Sequence, residues 1–145
     1  MAAAWRLYAK AKEYIGDGTI QLGTQGLKMA LFRGSSSVST LTFSTFSQLS
    51  TRQASGGAYT AGGKYLAPSA GTWTLAGSTV TFDYTTLGIT FTASGSDISA
   101  VQFAVIHNSA GKLLCWSKLS SSAFDVADPN TLTVLPAATG VFTLT

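Results

Sequence analysis

Hydrophobic residues recur with a helical period in one place, at the N-terminus. Between Ala2 and Ile15, Ala4, Leu7, Ala11 and Tyr14 fall on one stripe, Trp5 and Tyr8 lie beside it, and Arg6, Lys10, Glu13 and Asp17 line the opposite face. Gly16 and Gly18 stop that pattern, so residues 1–18 read as a helix with its linker. From Thr19 onward the period is that of strands. Thr19-Ile20-Gln21-Leu22 and Leu27 to Phe32 predict a hairpin about a Gly-Thr-Gln-Gly turn. The Ser/Thr-rich stretch Gly34 to Thr51, with Leu41, Phe43, Phe46 and Leu49 spaced through it, predicts a long loop pinned by apolar side chains and holding one helical turn.

Further strands are predicted at Thr72–Leu75 and Thr79–Phe82 around the turn Ala76-Gly77-Ser78, at Gly88–Thr92, at Ser99–His107 and Lys112–Lys118 around the loop Asn108-Ser109-Ala110-Gly111, and at Thr131–Val134 and Val141–Leu144. In Ser99–His107, Ala100, Gln102, Ala104 and Ile106 alternate with Val101, Phe103, Val105 and His107, so both faces of that strand are expected to be covered. Eight to ten short strands separated by turn signals predict an all-β protein, a β-sandwich or jelly-roll-like domain over residues 19–145, with one N-terminal α-helix.

Composition sharpens this picture. Only 10% of the 145 residues are charged, against roughly 25% in an average domain, while 46% are hydrophobic and mean hydropathy is +0.27. In place of charge stand 18 Ser, 20 Thr and 15 Gly, a composition for strands and turns. So lightly charged a surface suits two readings equally, an assembly subunit largely covered by other protein and a β-domain coated with Ser and Thr hydroxyls. The longest apolar runs, such as Phe103 to Ile106, are far shorter than the roughly 20 residues of a membrane span, so no membrane is expected as a partner. A single cysteine, Cys115, excludes an intrachain disulfide, and Arg6, Lys10 and Lys12 interrupt any leader-like apolar run, so folding in a reducing cytoplasm is expected. Residues 1–33 carry five basic and two acidic side chains and residues 34–145 four of each, which puts the whole net charge of +3 in the helix and first hairpin. Three basic residues on one short helix argue for docking on protein or plain solvation before nucleic acid.

The inventory for reaction chemistry is short, and the reading is not an enzyme. His107, the only histidine, would need Ser109 or a distant serine and an aspartate to converge on it, and a strand-end histidine bonded to its own turn is the simpler account. Cys115 lies among Leu113, Leu114 and Trp116 and reads as a small buried hydrophobe. One His and one Cys cannot build a zinc cluster, and Asp125 and Asp128 lack calcium-loop spacing, so no metal, cofactor or small-molecule substrate is expected. The pairs Gly56-Gly57 and Gly62-Gly63 are not followed by a Gly-Lys-Ser/Thr phosphate loop and read as backbone bends.

The order of elements carries a resemblance. A short helix, a Gly-Thr-Ile-Gln-Leu segment, the strand Lys28-Met29-Ala30-Leu31-Phe32, a Ser/Thr loop with Phe and Leu anchors, a Gly-x-Tyr-x-x-Gly-Gly element at Gly57 to Gly63, Val-Thr-Phe-Asp at Val80 to Asp83, and Val101 to Ile106 together resemble a loose family of small tailed-bacteriophage virion proteins. In that family Tyr follows the glycines directly, whereas here Ala58 intervenes. The resemblance implies a structural subunit in the virion, of capsid decoration (cement) type, with the major capsid protein or other virion proteins and itself, as a dimer or trimer, for partners. Head–tail connector or tail-associated placement is the nearest variant. Trp5, Leu7, Tyr8, Tyr14, Tyr59 and Tyr65 are the candidate contact residues, with coverage of the chain's own sheet as the competing role for the helix aromatics. A carbohydrate- or receptor-binding sandwich using Tyr59, Tyr65, Trp73 or Trp116 as sugar platforms is the other class.

Overall fold

A computed structural model describes residues 4–49, 52–66, 72–84 and 88–144. Its organising element is the longest strand, β7 (Ile98–Asn108), flanked by β2 (Leu27–Arg33) on one side and by β8 (Leu113–Lys118) and β9 (Phe124–Val126) end to end on the other. All of Val101 to Asn108 is buried, which is why this segment shows no polar face. Two further strands, β1 (Trp5–Leu7) on β8 and β3 (Lys64–Leu66) on β2, complete an antiparallel sheet in the order β1-β8-β7-β2-β3. A bulge near Ala100, at φ 59°, bends β7 where it passes from β8 to β9. The freed Ala100 N–H donates to Asp125 Oδ1 at 2.7 Å, and the Gln102 side-chain amide donates to the carbonyls of Ser120 and Ser121, fastening the β8–β9 connection.

Two smaller sheets cover the core. β4 (Thr72–Ala76), β5 (Thr79–Asp83) and β11 (Phe142–Leu144) form one in the order β11-β5-β4, and β6 (Ile89–Thr92) pairs with β10 (Thr131–Val134) in the other. Tyr84 ties the three sheets together. Its ring meets Trp5 of β1 edge-on at 6.1 Å, its hydroxyl donates to the Val134 carbonyl of β10 at 3.2 Å, and it directly follows β5. The fold is therefore all-β, sandwich-like, with a single α-helix among the described residues, α1 (Ala9–Gly16).

The N-terminus departs from its expected form. The helix begins at Ala9 rather than Ala2, and Trp5–Leu7 runs antiparallel to β8 with Trp5 opposite Ser117 and Leu7 opposite Cys115. Trp5 in, Arg6 out and Leu7 half in is a period of two, and the open edge of β8 supplies hydrogen bonds that a frayed helical first turn would lack. The segment after β1 is fastened to the sheet and loop: Tyr8 N–H donates to the Leu114 carbonyl and Tyr8 Oη to the Val38 carbonyl at 2.8 Å. The expected strand Thr19–Leu22 is a turn. Asp17 Oδ1 takes the Thr19 N–H, and the Gln21 carbonyl takes the N–H groups of Thr24 and Gln25, so local bonds outcompete a ladder while Ile20 and Leu22 still reach the core. Strand β2 consequently pairs with the distant β3 instead of forming a hairpin with residues 19–22.

Candidate functional site

The segment Gln53–Gly63, which carries the doubled glycines and Tyr59, lies across β2 and reaches β7. Gln53 bridges to Phe32, Ala54 N–H donates to the Leu31 carbonyl, and Ser55 bridges to Ser99. Next along β2, the Leu31 N–H donates to Tyr59 Oη at 2.9 Å, so a phenol occupies the place where a neighbouring strand would offer a carbonyl. Burial pushes the Tyr59 pKa up to about 12, with the Leu31 N–H pulling the other way. Two glycines make this close approach possible. At Gly63, φ +80°, a Cβ would collide with the Met29 carbonyl, and at Gly57, φ +55°, it would lie 2.6 Å from Ile98 Cγ1 and 2.7 Å from the Ser96 carbonyl. The expected backbone bends are therefore sites where the loop lies flat on the sheet. Beneath Tyr59 a recess of about 30 Å³, lined by Ala58, Gly63, Lys64, Phe91 and Ile98, has room for one or two waters.

The histidine closes the same loop. His107 Nε2 lies 3.0 Å from the Gly62 carbonyl, Nδ1 lies 2.8 Å from the Asn108 carbonyl, and the ring stacks on Phe46 at 4.2 Å. Burial lowers its pKa, the two carbonyls act in the opposite sense, and Lys28 adds to the lowering. His107 thus joins the Gly62 turn, its own strand end and the single turn of 3₁₀ helix at Phe46–Gln48. Cys115 is fully buried, and burial raises its pKa well above the usual thiol value. Asp125 is held by Ala100 as described, and the Asp128 N–H donates to Asp97 Oδ1 at 2.9 Å. Among the described residues no three His, Cys, Asp or Glu side chains gather as a metal-binding set, and no helix is long and apolar enough to cross a membrane.

The six aromatic and aliphatic contact candidates separate sharply. Trp5, Tyr8 and Tyr14 are buried in the chain's own core and Leu7 packs half-buried against it, so these four do not stand on the surface as free anchors. Their reason is the strand at Trp5–Leu7, which turns the N-terminal aromatics inward. Tyr59 is half-buried under its loop. Tyr65 alone is well exposed, at 58%, with Lys28 Nζ 4.5 Å above its ring. Of the other sugar-platform candidates, Trp116 is buried beneath the Arg6 guanidinium, whereas Trp73 is 37% exposed on a different sheet from Tyr65.

The richest exposed feature is the hairpin β4–β5, of which sequence reasoning singled out Trp73 but not Leu75 beside it. Trp73 to Ser78 is continuously exposed, Leu75 to 66%. The pairs Trp73–Phe82 and Leu75–Val80, continued on β11 by Phe142 and Leu144, put every large apolar side chain of this sheet on one face, with Thr74, Thr79, Thr81 and Thr143 on the other beside Ala76 and Asp83. At the base, Trp73 and Phe82 both pack on Phe142, at 6.1 and 5.3 Å, and beyond them the Leu75 end runs out of core to cover it. The readable signal was the alternation Thr-Trp-Thr-Leu-Ala…Thr-Val-Thr-Phe with no charge in it.

No protein-family model matches the chain, and comparison with curated proteins and with solved structures returns no match.

Proposed function

We propose that this chain is a structural virion protein of a tailed bacteriophage, binding the capsid surface and stabilising the head as a decoration subunit. The observation that carries the reading is where contact area and reactive groups lie. His107, Cys115, Tyr8 and Tyr84 are sealed into the core or spent on backbone carbonyls, while the surface offers hydroxyls, the uncharged Trp73–Leu75 hairpin and Tyr65. A surface of that kind suits contact with other proteins, with few charges to desolvate at the centre of the contact. It accords with the resemblance of the Gly57–Gly63 element and of the strands around it to small virion proteins. Exposed Trp73 and Tyr65 also suit a glycan-binding module, the second reading.

Immunogold labelling of phage particles released by the strain that carries the gene tests the proposal. Gold spread over the heads is the expected result. Gold confined to the neck or tail moves the subunit to the connector or tail variant, and particle fractions free of the protein, together with retention on a glycan array, overturn the virion reading in favour of the glycan module.

A further inference from the structure

The exposed hairpin has an edge as well as a face. Among the described residues β4 pairs only with β5, which leaves its other side open. The β4–β5 turn is two residues long, with Gly77 at φ +63° in its first position, and it closes on the Ala76–Thr79 pair. Counted from that pair, the alternation of an antiparallel ladder turns the backbone groups of Thr72, Thr74 and Ala76 toward β5 and those of Trp73 and Leu75 outward. Strand edges of this kind are ordinarily guarded by lysine, proline or a bulge, and β4 has none of these.

We propose that β4 pairs with β4 of a second copy, antiparallel about a two-fold axis through Thr74, joining two three-stranded sheets into one of six strands. The choice of occupant follows from charge and from register. Residues 72–82 contain no charged side chain, so the edge offers nothing to steer an acidic or basic partner, and a second copy meets no like charge there. The register is set by the outward backbone groups. Centred on Thr74, Trp73 faces Leu75 of the other copy and Leu75 faces Trp73, so all four outward-facing residues exchange hydrogen bonds with one another. A slip of two residues in either direction leaves some of them without an outward partner. A slip of one turns the apolar face of one sheet against the threonine face of the other. In the centred register the row of exposed Leu75 and half-buried Val80 and Leu144 continues across the axis onto the Trp73 end of the second sheet, forming a single apolar face. Paired strands of five residues make a small interface, so the dimer is weak in isolation and strengthened wherever a scaffold holds copies side by side.

The pairing is a property of the purified chain and does not rest on the virion reading. In the centred register Thr74 faces Thr74 as a non-hydrogen-bonded pair, with Cα atoms about 4.5 Å apart, within the span of a disulfide. The test is mild oxidation of the Thr74→Cys protein, with Ser78→Cys and the parent chain, whose Cys115 is buried, as controls. Sedimentation velocity of the parent and of Leu75→Lys from about 1 to about 300 µM, the range in which weak complexes form, accompanies it. The expected result is a covalent dimer for Thr74→Cys alone, and a parent chain that moves toward twice its 15.0 kDa mass with rising concentration while Leu75→Lys stays monomeric at an unchanged melting temperature. A parent that remains monomeric throughout overturns the proposal. So does a dimer indifferent to Leu75→Lys, or one cross-linked as readily through Ser78 as through Thr74.

Discussion

Replacing Tyr59 by Phe removes one oxygen, the acceptor that fastens the glycine loop to β2 and a long 3.5 Å donor to Gln53 Oε1. The Leu31 N–H, on a residue with no solvent exposure, then loses its acceptor. A buried donor stripped of its partner costs about 1–3 kcal/mol. The small recess beside Tyr59 can admit a water, which sets the expectation at about 2 kcal/mol, or about 6 °C in melting temperature for a chain of this size. A second signature comes from pH. The phenol pKa is about 12 in the fold against 10.0 for an unperturbed tyrosine, so the folded state holds this proton more tightly than the unfolded state. That contribution is complete below pH 10 and is lost as pH rises from 10 through 12, amounting to about 3 kcal/mol in all. Tyr8 and Tyr84, also raised by burial, act alike in both proteins and cancel in the difference. Urea unfolding of parent and Tyr59→Phe should therefore show a gap of about 2 kcal/mol near pH 8 that narrows by about 1.4 kcal/mol by pH 11. Amide exchange at Leu31 should quicken in the variant. Equal stability at pH 8, or a gap that does not change with pH, would refute the assignment of the phenol as acceptor for β2.

Three further predictions test the rest of the frame. Gly63→Ala brings a Cβ onto the Met29 carbonyl at a positive φ, and its urea midpoint should fall by the equivalent of about 3 kcal/mol or more. Burial holds His107 below its ordinary value of 6.5, so on acidification the unfolded chain takes up the proton first; stability complete above pH 6.5 is lost as pH falls through that value toward the folded pKa. As the only histidine it gives one ring signal in NMR, which should show no midpoint at 6.5 in the folded protein. Deleting residues 1–15 takes Trp5, Tyr8 and Tyr14 from the core at about 3–5 kcal/mol each, comparable to the whole stability of a domain, so the truncated chain should lack a cooperative unfolding transition by circular dichroism. A truncated chain that melts cooperatively would instead restore those aromatics to a role outside the core.

Periodicity made the middle and end of this chain legible because their strands carry their own alternation or stand next to a glycine turn, whether the partner is adjacent, as for β4–β5 and β7–β8, or distant, as for β6–β10 and β5–β11. The β4–β5 and β7–β8 hairpins and strands β6, β10 and β11 each announce themselves by alternation or by a Gly-containing turn, and the helical turn at Phe46–Gln48 falls inside the loop that was expected to hold one. What stayed hidden was decided at long range. Nothing local in Trp5-Arg6-Leu7 separates a helix's first turn from an edge strand; the open side of β8, over a hundred residues away, makes the difference. Strands β3 and β9, of three residues each, are too short to show a period, and each exists because β2 or β7 has an edge to fill.

The same argument explains why Tyr59 and the N-terminal aromatics are harder to interpret from sequence than Trp73. A tyrosine among glycines presents equally well as a surface platform or as a plug, and the deciding fact is the Leu31 N–H that needs an acceptor where β2 has no strand beside it. Trp5, Tyr8 and Tyr14 likewise become core because β8 draws their segment into the sheet. For Trp73 no such demand operates. Its neighbours in sequence are threonines, among the described residues its strand is held from one side only, and Leu75 beyond it is 66% exposed. An aromatic on a sheet edge whose outward backbone groups are also open carries two unmet requirements at once, apolar cover and hydrogen bonds, and a single added strand meets both. The proposed contact surface therefore lies at the end of the least charged hairpin, away from the basic N-terminal segment where the net charge lies.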